Sequence, residues 1–349
     1  MDIQRVGLAN KCEGLTYYDV ETKLESQLPD TSKKSVLLII PDFTRPFSIV
    51  ESILYRLLKQ RSISVDMVVA NGMHRPSTIG EIRRKVGAAV DDCIIYQNHP
   101  FQDEDWLPKV AYGKCVIALS NPLPHNHVGM SGGGKLILPG LSHWSDVNAF
   151  HANTTLTSSR LLVDAGKRII NCHVGVSYGE DAVVNDVCVA DSDYDFYNWV
   201  DRTKDFYKVD IKSPLPDVVI LEPCVKKVDF MQSMNAMLIA KHGIVRSGGT
   251  IFIMSDTIDG MGTHYLFQQP NGKTPAYYDT VFKDELSTAD IHFCMPNVSE
   301  QAIRLYFDKC KPMNLPDFGS VVRYLEARHG TNARVIHYTA PDISIGERV

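Results

Sequence analysis

The 349-residue chain lacks the features that would place it in a membrane or on nucleic acid. Its longest apolar runs, such as residues 36–40, are far shorter than the roughly 20 residues that a membrane-spanning helix needs. The net charge of −5 disfavours nucleic acid and anionic membranes as main partners, although a local basic pocket for a small anion is compatible with it. We therefore expect neither nucleic acid nor a membrane among the partners.

Paired cysteines are also absent. The eight cysteines are scattered along the chain, and no two of them form a Cys-x-x-Cys pair. Wide spacing suits free thiols in a reducing compartment better than a disulfide framework or a zinc ribbon. Residues 1–5 lack the charged and apolar regions of a secretory signal. The sequence therefore predicts a cytoplasmic protein.

Standard nucleotide and metal motifs are missing too. A glycine-rich stretch at residues 129–135 has neither the G-x-x-x-x-G-K-[ST] spacing of a P-loop nor the G-x-G-x-x-G spacing of a dinucleotide site. No H-E-x-x-H segment or other paired-ligand spacing is present. These absences remove the motif-based arguments for ATP, for NAD and for a metal held by the protein alone.

What the chain does have is an unusual segment at residues 124–135, followed by His151. This segment contains His125, His127, a run of three glycines at 132–134 and Lys135. Glycine lets backbone N–H groups approach a ligand closely, because it has no Cβ and tolerates positive φ. Lysine supplies a cation or a nucleophilic amine, and histidine carries protons or binds metal.

Strands and helices alternate before this segment. The continuous apolar run at residues 36–40 predicts a strand buried on both faces, and further strands are predicted at residues 63–70, 93–96 and 116–119. A helix is predicted after each of the first two strands. Thr78 and Glu81 have the spacing of a helix-capping box. Alternation of this kind predicts a parallel α/β sheet, whose ligands bind beyond the carboxyl ends of the strands.

Polar side chains follow the end of each predicted strand. They are Asp42, Thr44 and Arg45 after the first, His74 and Arg75 after the second, Asn98 and His99 after the third, and His125 and Lys135 after the fourth. Six of the twelve histidines lie between residues 74 and 151. We therefore expect these loops to converge on one crevice.

The second half of the chain predicts further α/β structure. A strand is expected at residues 168–172 and a helix at 194–207, and residues 212–216 form the best candidate for a linker. After it come a strand at 218–221, a helix at 229–242 and a strand at 250–254, which is a new βαβ unit. We predict two α/β domains with parallel-type sheets, residues 1–212 and 213–349, with a cofactor and substrate cleft between them.

Each part of the candidate site also has a purely structural interpretation. The three glycines could form only a tight turn, Thr44 and Arg45 could begin a helix, and His74 could be an ordinary loop histidine. As a set, however, a glycine-rich backbone with Lys135, Thr44 and Arg45 makes a cradle for a phosphate or a carboxylate.

Four ordered segments resemble the lactate racemase family, whose members carry a nickel-pincer nucleotide. They are Asp42-Phe43-Thr44-Arg45-Pro46, Asn71-Gly72-Met73-His74-Arg75-Pro76, Asn98-His99, and Pro124-His125-x-x-x-Gly129-x-Ser131-Gly132-Gly133-x-Lys135 continuing to Pro139-Gly140 and His151. The resemblance covers most of residues 36–151 and continues more loosely through residues 229–262.

The resemblance implies a role for each of these residues. Lys135 would carry the cofactor through a covalent thioamide bond, and His151 would bind its nickel. His74 and His125 would be the acid/base pair, and Arg45 would bind the substrate carboxylate. The cofactor or its phosphate would be held by Asp42, Thr44, Ser131, Gly132 and Gly133. Gln232, in the second domain, would close over the substrate.

The implied chemistry inverts the C2 centre of a 2-hydroxy acid. The hydrogen on that carbon is too weakly acidic for histidine alone, so hydride transfer to the cofactor with two histidines as proton carriers explains the residue set. Such an enzyme would depend on cofactor-biosynthesis and nickel-insertion enzymes as partners. The sequence makes no prediction about the oligomeric state.

Two positions depart from the pattern of the lactate enzymes. Asn235 stands where those enzymes carry lysine, one helical turn after Gln232, and His127 stands where an apolar or aromatic residue is common. An amide both donates and accepts hydrogen bonds, which suits a substrate with further hydroxyl groups. We therefore expect a 2-hydroxy acid other than lactate, with a sugar acid as one candidate.

Two other classes of protein stay open at this point. One is a cofactor-free metal hydrolase in which His74, His125 and His151 bind zinc or iron. The other is a non-catalytic α/β protein that binds anionic metabolites. The presence of Lys135, His74 and His125 together favours catalysis over binding alone.

Overall fold

The computed structural model describes residues 1–9, 13–29, 35–103, 106–125, 128–152, 157–268, 277–307 and 310–348. The chain divides into two units. The N-terminal unit is Cys12–Lys204, and the C-terminal unit is Met1–Lys11 together with Asp205–Val349.

In the described residues the strands, numbered along the chain, are β1 (Asp2–Val6), β2 (Ser35–Pro41), β3 (Ser64–Ala70), β4 (Ile95–Gln97), β5 (Cys115–Ser120), β6 (Pro124–His125), β7 (Gly129–Met130), β8 (Cys172–Tyr178), β9 (Val184–Ala190), β10 (Lys208–Ile211), β11 (Val218–Leu221), β12 (Gly249–Met254), β13 (Ala289–Cys294), β14 (Arg334–Tyr338) and β15 (Ile345–Arg348). The helices are α1 (Tyr17–Gln27), α2 (Val50–Gln60), α3 (Ile79–Val86), α4 (Trp106–Ala111), α5 (Trp144–Ala152), α6 (Thr157–Lys167), α7 (Asp193–Thr203), α8 (Phe230–Ser233), α9 (Tyr265–Gln268), α10 (Tyr277–Val281), α11 (Lys283–Thr288), α12 (Glu300–Arg304) and α13 (Phe318–His329).

The N-terminal unit is built on a six-stranded sheet in the order β4-β3-β2-β5-β8-β9. Its strands are parallel except for the antiparallel pair β8 and β9. Strand β2 lies in the interior of this sheet, and its apolar side chains contribute to both faces. Val36, Leu38 and Ile40 pack into one hydrophobic cluster, and Leu37 and Ile39 pack into another. Because successive side chains of a strand point to opposite faces, the sheet has a core on each side.

The C-terminal unit has a fully parallel sheet in the order β1-β14-β11-β12-β13. Strand β11 divides its side chains in the same way, with Val219 and Leu221 in one cluster and Val218 and Ile220 in another. Both units are therefore α/β, which confirms the predicted fold class. The cleft between the predicted domains stays a prediction.

The bounds of the two units differ from the predicted division at residues 212 and 213. Strand β1 pairs with β14, with Asp2 opposite Arg334 and Val6 opposite Tyr338, so the start of the chain belongs to the C-terminal unit. Strand β10 pairs with β15, which brings residues from 205 onward into the same unit. Both additions are strand pairings between segments that are far apart in sequence.

Two predicted elements take another form. The strand expected at residues 168–172 begins later and is β8 at Cys172–Tyr178. Residues 166–170 form a turn instead, in which the carbonyl oxygen of Gly166 accepts hydrogen bonds from the backbone N–H groups of Ile169 and Ile170. The apolar pair Ile169 and Ile170 packs against a core cluster from this turn. The helix expected at residues 229–242 is α-helical only in α8 and continues as a 3₁₀ helix over Met234–His242.

Among the described residues, no helix combines the length and the apolar character needed to cross a membrane. The cysteines at positions 93, 115, 172, 188, 224, 294 and 310 are free thiols.

Candidate active site in the N-terminal unit

The register of the sheet brings the predicted site loops to one edge. Pro41 at the end of β2 lies opposite Ala70 at the end of β3, and Ile39 lies opposite Ala118 in β5. The loops that begin at Asp42 and at Asn71 therefore leave the sheet side by side. Parallel strands end at the same edge, so this proximity follows directly from the strand order.

Asp42 and His74 form the central contact of this edge. The Nδ1 atom of His74 lies 2.5 Å from Oδ2 of Asp42. The carboxyl group of Asp42 is buried. The backbone N–H of His74 donates a hydrogen bond to the carbonyl oxygen of Asn71, which fixes the position of His74 in its loop. A carboxylate accepts hydrogen bonds only, so the Nδ1 of His74 carries the proton of this contact. The other ring nitrogen, Nε2, is then the atom that gains or loses a proton.

Asp42 is ionised despite its burial. Burial by itself raises the pKa of this carboxyl group, but the charge and hydrogen bond of His74, the charge of Arg45 and the hydrogen bond from Thr44 outweigh it and lower the pKa to about 2. Asp42 therefore places a fixed negative charge beside the ring of His74.

Thr44 connects Asp42 to Arg45. Its hydroxyl donates to Oδ1 of Asp42 at 2.6 Å, and its backbone N–H donates to the same oxygen at 3.1 Å. The hydroxyl oxygen accepts a hydrogen bond of 2.8 Å from Nη1 of Arg45. The guanidinium is thereby oriented by the same carboxylate that orients His74. Arg45 is half-buried and belongs to the loop rather than to the start of α2, which begins at Val50.

The third and fourth loops join the same edge. The backbone N–H of Asn71 donates to Oδ1 of Asn98 at 2.7 Å, and the side chain of Asn71 donates to the carbonyl of Asn98 at 3.2 Å. The N–H of Gly72 donates to the carbonyl of Gly140 at 2.9 Å. The predicted convergence of the four loops is thus present in the contacts between them.

The glycine run has a packing reason of its own. A Cβ on Gly134 would lie 1.8 Å from the carbonyl oxygen of Leu162 in α6, and a Cβ on Gly133 would lie 2.7 Å from the hydroxyl of Tyr197. Gly132 and Gly133 also have φ values of +103° and +55°. Glycine is therefore required here by close contact and by backbone conformation.

Several N–H groups of this run are bonded inside the protein. The N–H of Ser131 donates to the carbonyl of Leu123, that of Gly133 to the hydroxyl of Ser120 at 3.2 Å, and that of Gly134 to the hydroxyl of Tyr197 at 3.2 Å. The Ser131 hydroxyl bonds to backbone groups of Asn121 and Leu123. The phosphate-binding role of Ser131, Gly132 and Gly133 stays a prediction.

Lys135 lies in the 3₁₀ turn Gly133–Leu136 and is half-buried. Burial disfavours its charged form, the nearby charge of Arg45 acts in the same direction and Asp42 acts against both, and the net effect lowers the pKa of Lys135 to about 7. The amine is thus close to the charged groups that follow β2, and its lowered pKa favours the neutral form at neutral pH. A neutral lysine amine is the nucleophilic form.

His125 and His151 lie on separate elements of the same unit. His125 ends β6, which pairs with β7 in a short antiparallel hairpin, and it is half-buried. His151 lies near the end of α5, and its Nδ1 lies 2.7 Å from the carbonyl oxygen of Val147. That contact requires a proton on Nδ1, which makes Nε2 the nitrogen whose lone pair can bind a metal.

Gln232 and Asn235 belong to the C-terminal unit. Gln232 is buried in α8, and its N–H donates to Oδ1 of the capping residue Asp229 at 2.7 Å. The amide nitrogen of Asn235 donates to the carbonyl oxygen of Gln232 at 2.9 Å. His127, which the sequence left unassigned, lies outside the described residues.

Sequence reasoning did not predict the contacts through which charged residues of α3 support the first two loops. Arg75 makes a two-point ion pair with Glu81, at 2.9 and 2.7 Å, and its guanidinium lies 3.8 Å from the ring centroid of Phe43. Lys85 is buried beside the backbone of residues 45 and 46. The capping-box spacing identified Glu81 as a helix-start residue, and the structure confirms that box. No signal in the sequence identified Lys85.

No group of three or more His, Cys, Asp or Glu side chains suited to a metal ion occurs among the residues that the structure describes. His74, His125 and His151 therefore do not form such a group.

The fold and the site define an α/β protein with a histidine–carboxylate pair, an arginine and a lysine of lowered pKa at one edge of a parallel sheet. A family model for the lactate racemase N-terminal domain matches residues 22–114. This range includes Asp42, Thr44, Arg45 and His74.

Two curated relatives are lactate racemases. The chain is 30% identical to that of Lactiplantibacillus plantarum over 149 residues, which cover 37% of this chain and 35% of the relative. It is 25% identical to that of Thermoanaerobacterium thermosaccharolyticum over 142 residues, which cover 35% of this chain and 33% of the relative. The matches thus span about a third of the length of these relatives.

The fold is shared over a longer range. The lactate racemase apoprotein from Thermoanaerobacterium thermosaccharolyticum superposes with a TM-score of 0.71 at 17% identity, covering 99% of this chain and 94% of that chain. A protein from Thermotoga maritima gives a TM-score of 0.69 at 14% identity, covering 97% and 100%. Together these findings show that residues 22–114 are similar to the N-terminal domain of lactate racemases and that the fold is shared over nearly the whole chain.

Proposed function

We propose that this protein is an isomerase that inverts the C2 centre of a 2-hydroxy acid with the help of a nickel-pincer nucleotide. The observation that carries the proposal is the hydrogen-bonded network in which one buried carboxylate, Asp42, orients both His74 and, through Thr44, Arg45. A proton carrier and a carboxylate-binding cation on one rigid support are what this reaction needs from the protein.

His74 is the better supported of the two proposed acid/base residues. Its Nδ1 is engaged with Asp42, so its Nε2 takes the hydroxyl proton of the substrate or returns it. His125 is proposed as the second proton carrier because the family resemblance assigns that role to its position. Two carriers are needed because the hydrogen on C2 leaves one face of the substrate and returns to the other.

Arg45 is proposed to bind the substrate carboxylate. Its Nη1 is fixed by Thr44, which orients the planar guanidinium and lowers the entropy lost when a carboxylate binds. Removing one partner from a desolvated charge pair of this kind typically costs about 2–5 kcal/mol. Asp42 and Thr44 then act as positioning residues in this proposal, in addition to any contact with the cofactor.

Lys135 and His151 have the chemistry that the cofactor requires. Lys135 offers an amine with a pKa of about 7, which suits covalent attachment through a thioamide. His151 directs Nδ1 to a backbone carbonyl, which leaves Nε2 as the metal-binding nitrogen. When bound, the nickel-pincer nucleotide supplies reversible hydride acceptance, which no side chain of the protein can perform.

The substrate class is proposed from Gln232 and Asn235. A neutral amide at position 235, where the lactate enzymes carry lysine, favours a substrate with additional hydroxyl groups over lactate itself. The contact between the Asn235 amide nitrogen and the Gln232 carbonyl orients this side chain, so its carbonyl oxygen has a defined direction. A sugar acid is one candidate.

Intact-mass and nickel analysis tests the cofactor proposal. The protein is produced together with cofactor-biosynthesis and nickel-insertion enzymes, and we expect a covalent adduct and bound nickel. Lys135→Arg should abolish both the adduct and turnover. His151→Ala should keep the adduct and lose nickel. His74→Gln and His125→Gln should keep both and lose turnover by at least about 10²-fold.

These measurements also separate the proposal from a cofactor-free metal enzyme or an anion-binding protein. A cofactor-free hydrolase would bind metal in Lys135→Arg as well as the unchanged protein does. A binding protein would show no turnover in either form. An unmodified Lys135 in active protein would refute the nickel-pincer proposal.

A substrate panel tests the specificity. Loaded protein is incubated with single enantiomers of lactate, longer 2-hydroxy acids and sugar acids, and inversion is followed by chiral chromatography. We expect faster inversion of the polyhydroxylated acids than of lactate, and we expect Asn235→Lys to reduce that preference. Rapid inversion of lactate with no preference for longer acids would show that the specificity proposal is wrong.

A further inference from the structure

Lys85 is a buried lysine whose amine lies directly behind the loop that carries Arg45. It belongs to the last turn of α3 and is 3% exposed. Its Nζ donates to the carbonyl oxygen of Arg45 at 3.2 Å and to that of Pro46 at 3.0 Å.

Glu51 supplies the opposite charge from α2. It is fully buried in the first turn of that helix, and its Oε1 lies 4.0 Å from Nζ of Lys85. Its Oε2 accepts a hydrogen bond of 2.5 Å from the hydroxyl of Ser48. Together, Lys85 and Glu51 contact three residues of the loop that precedes α2: Arg45, Pro46 and Ser48.

Burying an acidic and a basic side chain between α2 and α3 costs desolvation free energy. Burial raises the pKa of Glu51 and lowers the pKa of Lys85, so burial outweighs the attraction between the two groups. Apolar side chains of similar volume often give equal or greater stability than such a pair. The contacts that apolar side chains could not supply are the hydrogen bonds to the carbonyl oxygens of Arg45 and Pro46. Those two carbonyls follow directly after Thr44, which bonds to the guanidinium of Arg45.

We propose that Lys85, held by Glu51, is a positioning residue that fixes the Arg45 loop for binding the substrate carboxylate. This inference rests on the proposed role of Arg45 in binding a 2-hydroxy acid. Lys85 itself donates to two backbone carbonyls, so it acts through the backbone of residues 45 and 46 and is not a catalytic residue. Two contacts therefore orient Arg45: Lys85 of α3 binds its backbone carbonyl oxygen, and the hydroxyl of Thr44 binds its guanidinium.

The informative variant is the double substitution Lys85→Met with Glu51→Leu. It removes both buried charges together, so neither is left unpaired, and the core keeps a similar volume. We expect it to fold with little change in thermal midpoint. The KM for the best acid of the panel should rise by about ten- to a hundredfold, with a much smaller change in kcat. Lys85→Arg, which retains a charged donor, should restore part of the affinity.

The matched control is the partly buried pair of Lys114 and Asp66, whose Nζ and Oδ2 atoms lie 2.6 Å apart. Asp66 lies in the first half of β3 and Lys114 immediately precedes β5, so this pair is at the amino end of the same sheet. Lys114→Met with Asp66→Leu should leave KM unchanged. A general loss of stability would affect both double variants alike.

Two further measurements do not depend on turnover. Calorimetry with lactate and gluconate should give weaker carboxylate binding for the Lys85 and Glu51 variant. Hydrogen exchange should be faster at residues 43–48 and unchanged at residues 36–40. Wild-type KM, carboxylate affinity and exchange in that variant would overturn the proposal, and so would equal effects in the control.

Arg45→Gln distinguishes failure of this inference from failure of the proposed function. If Arg45→Gln loses carboxylate affinity while the Lys85 and Glu51 variant retains it, only the inference about Lys85 is wrong. If Arg45→Gln binds carboxylates as the unchanged protein does, the proposed role of Arg45 is wrong. The exchange measurement still shows in that case whether Lys85 holds the loop.

Discussion

The Nδ1 atom of His74 lies 2.5 Å from Oδ2 of Asp42, although 31 residues separate them in the chain. Each residue follows a different parallel strand, and the register that pairs Pro41 with Ala70 brings the two loops together. The other carboxylate oxygen, Oδ1, accepts both the hydroxyl and the backbone N–H of Thr44. The two oxygens of Asp42 therefore have different partners, and this asymmetry leads to the first prediction.

Asp42→Asn should reduce kcat by about 10²–10⁴-fold. The two donors from Thr44 require the amide oxygen at the Oδ1 position, which directs the new NH₂ group toward Nδ1 of His74. Because NH₂ is a donor, Nδ1 must become the acceptor and the proton moves to Nε2. The ring then has the wrong tautomer to act as a base.

Chiral chromatography of the loaded variant measures this effect, and intact mass shows whether the adduct on Lys135 is retained. Asp66→Asn, which changes a carboxylate at the other end of β3, is the control and should keep full turnover. A loss of less than threefold in Asp42→Asn would contradict the assigned role of Asp42.

Asp42 should also stabilise the fold in a pH-dependent way. Its folded pKa of about 2 is below the unfolded value of about 3.9, since the charge of His74 and the hydrogen bonds outweigh the effect of burial. A depressed carboxyl pKa contributes stability that is present above the unfolded pKa and is lost as the pH falls toward the folded pKa. The contribution is about 2–3 kcal/mol in the free energy of unfolding.

Urea unfolding of the unchanged protein and of Asp42→Asn from pH 6 to pH 2 checks this prediction. The difference in unfolding free energy should be constant above about pH 5 and shrink between about pH 4 and pH 2. A difference that stays constant over the whole range would show that Asp42 has an ordinary pKa in the folded state.

Lys135 should be the most reactive lysine of the cofactor-free protein near neutral pH. With a pKa of about 7 it is largely neutral at pH 7.5, whereas a lysine with the usual pKa of about 10.4 is neutral only about one time in a thousand. Limiting amounts of an acylating reagent should therefore modify Lys135 first. Peptide mass spectrometry at a series of pH values measures the rate.

The pH at which this rate is half-maximal should be near 7, and it should rise in Arg45→Gln, because Arg45 contributes to the lowered pKa of Lys135. Lys114 provides an internal comparison within the same spectra. A rate at Lys135 that keeps rising to pH 10 would mean that the amine is not perturbed.

Gly134→Ala should destabilise the N-terminal unit by roughly 2–4 kcal/mol. A Cβ at this position would lie 1.8 Å from the carbonyl oxygen of Leu162, which is backbone of α6 and cannot turn aside as a side chain could. The displacement would also move Lys135, the next residue. Calorimetric unfolding measures the loss, and the yield of the Lys135 adduct reports the displacement.

Gly80→Ala is the matched control for this substitution. Gly80 lies in α3, and the nearest heavy atom to an added Cβ is 4.0 Å away. Alanine has the higher helix propensity, so Gly80→Ala should stabilise the protein or leave it unchanged. Equal thermal midpoints for the two alanine variants would show that the Gly134 contact can relax.

The sequence by itself determined the parts of the structure that depend on local pattern. Mainly apolar segments marked β2, β3, β5 and β11 close to their observed bounds, because a strand with a core on each face buries side chains on both sides. The parallel arrangement then implied that Asp42, Arg45, His74 and Lys135 would come to one edge. The contacts between the loops agree with that prediction.

The tertiary structure alone decided features that depend on distant partners. Strand β1 belongs to the C-terminal sheet because it pairs with the edge of β14. Glu51 and Lys85 are buried together because α2 and α3 pack against each other beside the Arg45 loop. In the sequence these two residues are ordinary charges on amphipathic helices. A sequence pattern indicates which residues are buried. Which side chains contact one another is decided only when the chain has folded.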